Sequence, residues 1–236
     1  MSKNIQHVHI QGQLRSVDSA DEDRRRLLLF LSAAAGAGAL GLTSQNAKAD
    51  QGPVPTPRRA LTGRDESGKS IFQSFDVTPQ VVTFETSPGL VLYDVYSTDG
   101  MPRLTGREPD PMLTKKGVVP GPGGSLFRLG LFPPRPPEGS KPALDAYENW
   151  LTEFSKKVPG WAELFERETP GMHTTDTIDY GVVIRGEMIL ELDDGKTVHL
   201  RQGDCVVQNG TRHRWQNPLS EPCLMAFVLI GGRRQK

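Results

Sequence analysis

Short apolar runs punctuated by Gly, Pro and Asp dominate the second half of this chain. Residues 181–184, 188–192, 197–200, 205–208, 213–216 and 223–230 form runs of four to eight residues, the length and composition of β-strands. Asp194-Gly195 predicts a two-residue turn between two of them, because such turns need positive φ. Residues 70–75, 81–85, 90–96 and 125–132 read as strands too, with Ser87-Pro88-Gly89 as a break. Residues 99–124 are rich in Pro and Gly and read as a long loop, and Pro133-Pro134-Arg135-Pro136-Pro137 as a stiff, extended exit. One segment departs from this pattern. Leu144, Tyr147, Leu151, Phe154 and Val158 recur at spacings of three and four, which predicts one apolar helix face, ended by Pro159-Gly160. Trp161, Leu164 and Phe165 predict a further short helix. The helical pair either covers one end of a sheet or serves as a lid or dimer contact. Many short strands at intervals of roughly 8–12 residues predict an all-β antiparallel sandwich or barrel.

The first 49 residues follow different rules. Asp23-Arg24-Arg25-Arg26 precedes an apolar run, Leu27 to Leu42, and Ala47-Lys48-Ala49 offers small residues at a cleavage site. This order is that of a secretory signal, and the paired arginines make it similar to a twin-arginine signal. The run is rich in Ala and Gly and makes a poor membrane span. The expectation is a periplasmic or secreted protein with no stable membrane anchor after cleavage; an uncleaved N-terminal anchor is the alternative. Residues 50–68 then read as a linker and 69–236 as a single domain, with a helical insert over about 140–167 and a motif core over 171–230.

Composition narrows the partners. The chain has 28 Lys+Arg and 28 Asp+Glu. Six of those cations and four of those anions fall in the leader, so residues 50–236 carry a net charge of −2. Nothing in that balance favours nucleic acid. Cys205 and Cys223 permit a disulfide after export, but both lie in apolar strand-like runs, where a free cysteine behaves as a small buried hydrophobe.

The candidate chemistry lies in the C-terminal strands. Residues at i and i+2 of a strand share a face, so His173, Thr175 and Asp179 point one way. His213 lies on a later strand that can face them. Two imidazoles and a carboxylate make the ligand set of non-haem Fe(II), with Mn, Ni and Zn also open. Each residue also has an ordinary structural reading: Asp179 as a turn residue holding backbone amides, Thr175 and Thr177 as plain strand threonines, Trp215 and Met188 as core. His199 reads as surface.

The two stretches resemble the paired motifs of the cupin family, a jelly-roll barrel with many functions. His173, Thr175, Asp179 and Gly186 fall in the spacing of the first motif, G-x5-H-x-H-x3,4-E-x6-G, as H-x-T-x3-D-x6-G. Gly210, His213 and Asn217 fall at the spacing of the second, G-x5-P-x-G-x2-H-x3-N, with Gly203 ahead of them. The sequence departs from the pattern at four places. Thr175 stands for the second histidine, Asp179 for the glutamate, Arg167 for the opening glycine and Gln208 for the proline. The resemblance implies a cupin jelly roll with a short helical insert and a divalent metal on His173, Asp179 and His213. It also implies pairing of the chain with a second copy.

Three functions follow as expectations. One is a mononuclear-metal enzyme of oxygenase, decarboxylase or isomerase type, acting on a small organic acid or aromatic. Asp179 is then metal ligand or general base, and Thr175 and Trp215 line the substrate pocket. Another is a non-catalytic small-ligand-binding protein with a degenerate metal site. The third is a structural envelope protein with a vestigial site. Fold alone does not choose among them.

Overall fold

The structure, a computed structural model, describes residues 53–114, 118–135 and 144–235. The leader expected over residues 1–49 therefore lies outside the described residues. Eleven strands and one α-helix are described: β1 Arg58–Arg64, β2 Ser70–Val77, β3 Gln80–Thr83, β4 Val91–Thr98, β5 Ser125–Phe132, α1 Leu144–Lys157, β6 Thr177–Arg185, β7 Glu187–Glu191, β8 Thr197–Arg201, β9 Cys205–Asn209, β10 Arg214–Gln216 and β11 Cys223–Gly231. They form a six-stranded sheet in the order β3-β4-β5-β11-β6-β9, a three-stranded sheet in the order β10-β7-β8, and the hairpin β1-β2. Every pairing is antiparallel. The expected all-β jelly roll with one inserted helix is what the chain adopts.

Alternation explains why the two larger sheets stack. On β6, Thr177, Asp179, Gly181 and Val183 are buried, while Ile178 and Tyr180 face water. Inward residues of the six-stranded sheet (Leu92, Leu126, Val183, Met225, Phe227, Leu229) share one core with Met188, Leu190 and Leu200 of the three-stranded sheet. Each fully buried aliphatic or aromatic side chain there contributes about 1.5–3 kcal/mol. The chain crosses from one sheet to the other at Gly186, between β6 and β7. Its φ is +86°, and a Cβ there would sit 3.1 Å from the Cys223 Cα. Only glycine fits that corner without strain.

The helix covers the core. Tyr147, Leu151, Phe154 and Val158 are buried as the periodicity predicts, and Trp161 follows them inward. Phe154 stacks on Phe84 with ring centroids 4.9 Å apart. Glu153 accepts from the Glu85 and Thr86 amides, each at 2.9 Å, and the Lys157 ammonium donates to the Thr83 carbonyl at 2.8 Å. These bonds tie α1 to the end of β3. The short helix expected at Trp161–Phe165 is a single 3-10 turn over Ala162–Leu164.

Three expectations need correction. Part of the stretch expected as a linker, residues 58–64, is strand β1, paired with β2, and the compact unit runs from Val54. The stretch RRALTGR has little apolar periodicity, and its strand state comes from pairing with β2. Cys205 is exposed, because it stands on the outward parity of edge strand β9; Cys223 is buried, and both are free thiols. The two-residue turn expected at Asp194-Gly195 is a three-residue 3-10 turn over Asp193–Gly195, closed by the Leu192 amide on the Lys196 carbonyl, although both expected residues take positive φ, 59° and 67°.

Candidate functional site

Strand parity builds the site. His173, Thr175, Thr177 and Asp179 are all buried, whereas Asp176 and Ile178 between them are exposed. His213 is also buried, at 2% exposure. His173 and His213 face each other across an isolated antiparallel bridge, in which each backbone amide donates to the other's carbonyl at 2.9 Å. Their rings lie with centroids 4.2 Å apart.

Both imidazoles are neutral and share a tautomer. His173 Nδ1 lies 3.0 Å from the Gly171 carbonyl and His213 Nδ1 lies 2.9 Å from the Thr211 carbonyl. A carbonyl only accepts, so each Nδ1 carries the proton and each Nε2 keeps its lone pair. Burial lowers the pKa of both rings; that of His213 falls to about 4, with the neighbouring His173 as a further cause. Phe165 bridges to His173 with its ring 4.6 Å away, and Trp215 places its ring 5.5 Å from His213 and 5.5 Å from Phe227. The wall around the pair is therefore aromatic.

Asp179 occupies different ground. It sits within β6, opposite Gln208 of β9 on one side and Leu229 of β11 on the other. It is not a turn residue. Its Oδ1 is buried without a hydrogen-bond partner. Burial raises its pKa to about 6, against a smaller opposing effect from the Thr177 side chain. The Thr175 and Thr177 hydroxyls are 2.7 Å apart, so a polar row leads from the histidine end of the segment to the carboxyl.

The structure brings together two of the three expected ligands. Among the described residues, no group of three or more His, Cys, Asp and Glu is placed to hold a metal. The chain bends at Asp176, between the His173 bridge and the start of β6, and the carboxylate is one methylene shorter than the glutamate of the family pattern. The remaining candidates fall as follows. Thr175 lies in the interior row, Trp215 packs against the core beside His213, and Met188 is core. Asn217 is a shell residue whose amide donates to the Phe132 and Glu221 carbonyls. His199 is on the surface, 2.7 Å from Glu187.

Sequence reasoning passed over Glu166 and Arg212. Arg212 clasps Glu166 through Nε at 2.5 Å and a terminal nitrogen at 2.7 Å, which straps the segment before His173 to the residue before His213. Neither carries a periodic or motif signal, because the contact spans 46 residues.

A jelly roll with two bridge-paired imidazoles in its interior defines a small-barrel protein of the cupin class. The family described as Cupin domain matches residues 161–230, the segment that carries the histidine pair. The chain is 32% identical over 146 residues to oryzines biosynthesis cluster protein J of Aspergillus oryzae, covering 59% of this chain and 76% of that protein. It is 30% identical over 175 residues to phomopsin biosynthesis cluster protein C' of Diaporthe leptostromiformis, covering 74% of this chain and 76% of that protein. A 62-residue stretch is 48% identical to the cupin-domain-containing oxidoreductase virC of Hypocrea virens, covering 25% of this chain and 32% of that protein. This chain belongs to the cupin family.

Proposed function

We propose that this chain is a cupin oxidoreductase that uses a single divalent metal on a small organic acid or aromatic substrate. The observation that carries the reading is the facing pair His173 and His213, both neutral, with each Nδ1 tied to a carbonyl so that each Nε2 keeps its lone pair. This is how metal-binding histidines are held, with the second nitrogen tied to a carbonyl. The relatives named cupin-domain-containing oxidoreductases support the class.

The donor set fits a divalent ion through these two imidazoles, with water or substrate completing its coordination. Fe, Mn, Ni or Zn bound there would polarise a substrate oxygen. His173 and His213 would hold the ion, and the ring wall of Phe165 and Trp215 would exclude water and favour a flat, apolar substrate. Asp179, with a pKa raised to about 6, is placed to accept a substrate proton near neutral pH. Thr175 and Thr177 extend that polar row.

The test is metal content by mass spectrometry on untagged protein, beside His173→Ala and His213→Ala. One metal per chain in the parent and none in either variant is expected. A metal-free parent after loading with Fe(II), Mn, Ni and Zn would remove the metalloenzyme reading. The second reading, a non-catalytic ligand-binding cupin, is favoured because, among the described residues, no third His, Cys, Asp or Glu joins the pair as a metal-holding group. It predicts ligand affinity that survives loss of the metal.

Export rests on the leader sequence and is checked by fractionation of cells expressing the full chain. Pairing with a second copy is supported by apolar side chains left in water, Phe72 (75% exposed) and Phe75 (59%) on the hairpin and Tyr180 (51%) and Val207 (66%) on the large sheet. A monomer at every concentration in sedimentation would remove it.

A further inference from the structure

The two imidazoles are held by the same local device: each Nδ1 meets the carbonyl two residues before it. Free neutral imidazole favours the proton on Nε2, so this device must keep each ring in its less favoured tautomer. What fixes the two carbonyls is therefore part of the site. At His173 the carbonyl belongs to Gly171, the end of the loop 166–171, where φ is +85°. The Tyr147 hydroxyl, on α1, closes that loop from both sides. It donates to the Glu166 carbonyl at 2.9 Å and accepts from the Gly171 amide at 3.2 Å. Tyr147 is 6% exposed, and its ring stacks on Trp150, so the hydroxyl has little freedom to leave.

At His213 the carbonyl belongs to Thr211. The Gln208 amide donates to that same carbonyl at 3.0 Å and also bonds the Thr211 hydroxyl. Gln208 is 3% exposed and stands opposite Asp179 in the β6–β9 register. It also fills the place of the family proline, which has no side-chain donor. The departure from the pattern thus carries a specific hydrogen bond.

We infer that Tyr147 and Gln208 are positioning residues that set the tautomers of His173 and His213, Tyr147 through Gly171 and Gln208 through Thr211. The inference rests on reading the histidine pair as the site. With both residues in place, the two Nε2 lone pairs are presented together. Without one of them, its carbonyl is free to turn, the proton moves to Nε2, and that ring loses its ability to act as ligand or acceptor.

The experiment is long-range proton–nitrogen correlation spectroscopy on the 15N-labelled, metal-free full chain at neutral pH, with rings assigned by His173→Gln and His213→Gln. The parent should show protonated Nδ1 and unprotonated Nε2 on both rings. Tyr147→Phe should shift His173 toward protonated Nε2 and leave His213 unchanged; Gln208→Met should do the reverse. Zn affinity should fall by about tenfold or more in each. A parent with protonated Nε2 on both rings overturns the inference, and so does a folded variant whose own histidine keeps the parent signature. Should Tyr147→Phe fail to fold, the Gln208→Met spectrum decides alone. Tautomer shifts in a chain that binds no metal would sink the proposed metal function and leave this inference standing. Metal binding with unmoved tautomers would do the opposite.

Discussion

Replacing Asp179 with Asn keeps the side-chain shape and removes a buried charge whose Oδ1 has no partner. Burial moves the pKa of this carboxyl from its ordinary 3.8 to about 6. Between those values the folded chain binds the proton more tightly than the unfolded chain does. Wild-type stability therefore falls as pH rises through this window and then levels off. The gap corresponds to about 3 kcal/mol of destabilisation at neutral pH. The Asn amide brings donors that also need partners, so we expect D179N to gain about 1–3 kcal/mol there. Below pH 3.8, where both chains are neutral at this position, the gain should disappear. Urea unfolding of metal-free wild type and D179N on either side of the window measures it. A difference that does not change with pH, or a D179N protein less stable at neutral pH, would refute the reasoning, because the carboxylate would then have a stabilising partner. The same variant should lose turnover, so that stability and activity move in opposite directions.

Further outcomes follow from the same geometry. His213 is held neutral, with its pKa lowered from 6.5 to about 4, so the unfolded chain takes up a proton first as pH falls. In the D179N background, His213 should therefore contribute about 3 kcal/mol to the stability lost between pH 6.5 and 4, the part that His213→Gln removes in urea titrations, while His173, also lowered by burial, adds its own share. Gly186→Ala, which combines a φ of +86° with a 3.1 Å approach to the Cys223 Cα, should cost more than about 2 kcal/mol. Gly195→Ala, with a φ of +67° and open space around the new Cβ, should cost about 1 kcal/mol; equal midpoints in urea would contradict the corner role of Gly186. Leu126→Ala empties a fully buried core position and should cost about 3 kcal/mol, read as a lower denaturation midpoint.

Much of this protein was legible in the sequence. Alternation fixed which residues of β6 face inward, and the spacing of Tyr147, Leu151, Phe154 and Val158 fixed the buried face of α1. Period alone sets those choices, since a strand or helix repeats its own faces. Motif spacing also picked out His173 and His213 from the five histidines. Strand β1 was not legible, because its pairing with β2 supplies what its own pattern lacks. Nor was the exposure of Cys205, which depends on β9 being an edge strand. Tertiary structure alone decided the chemistry of the site. It joined His173 to His213 through a bridge across 40 residues of chain, set Asp179 in register with Gln208, and buried its Oδ1 without a partner. A sequence states which side of a strand a residue takes. Bends and register between distant strands set the distance and solvation of each group, and those determine its proton affinity and its reach.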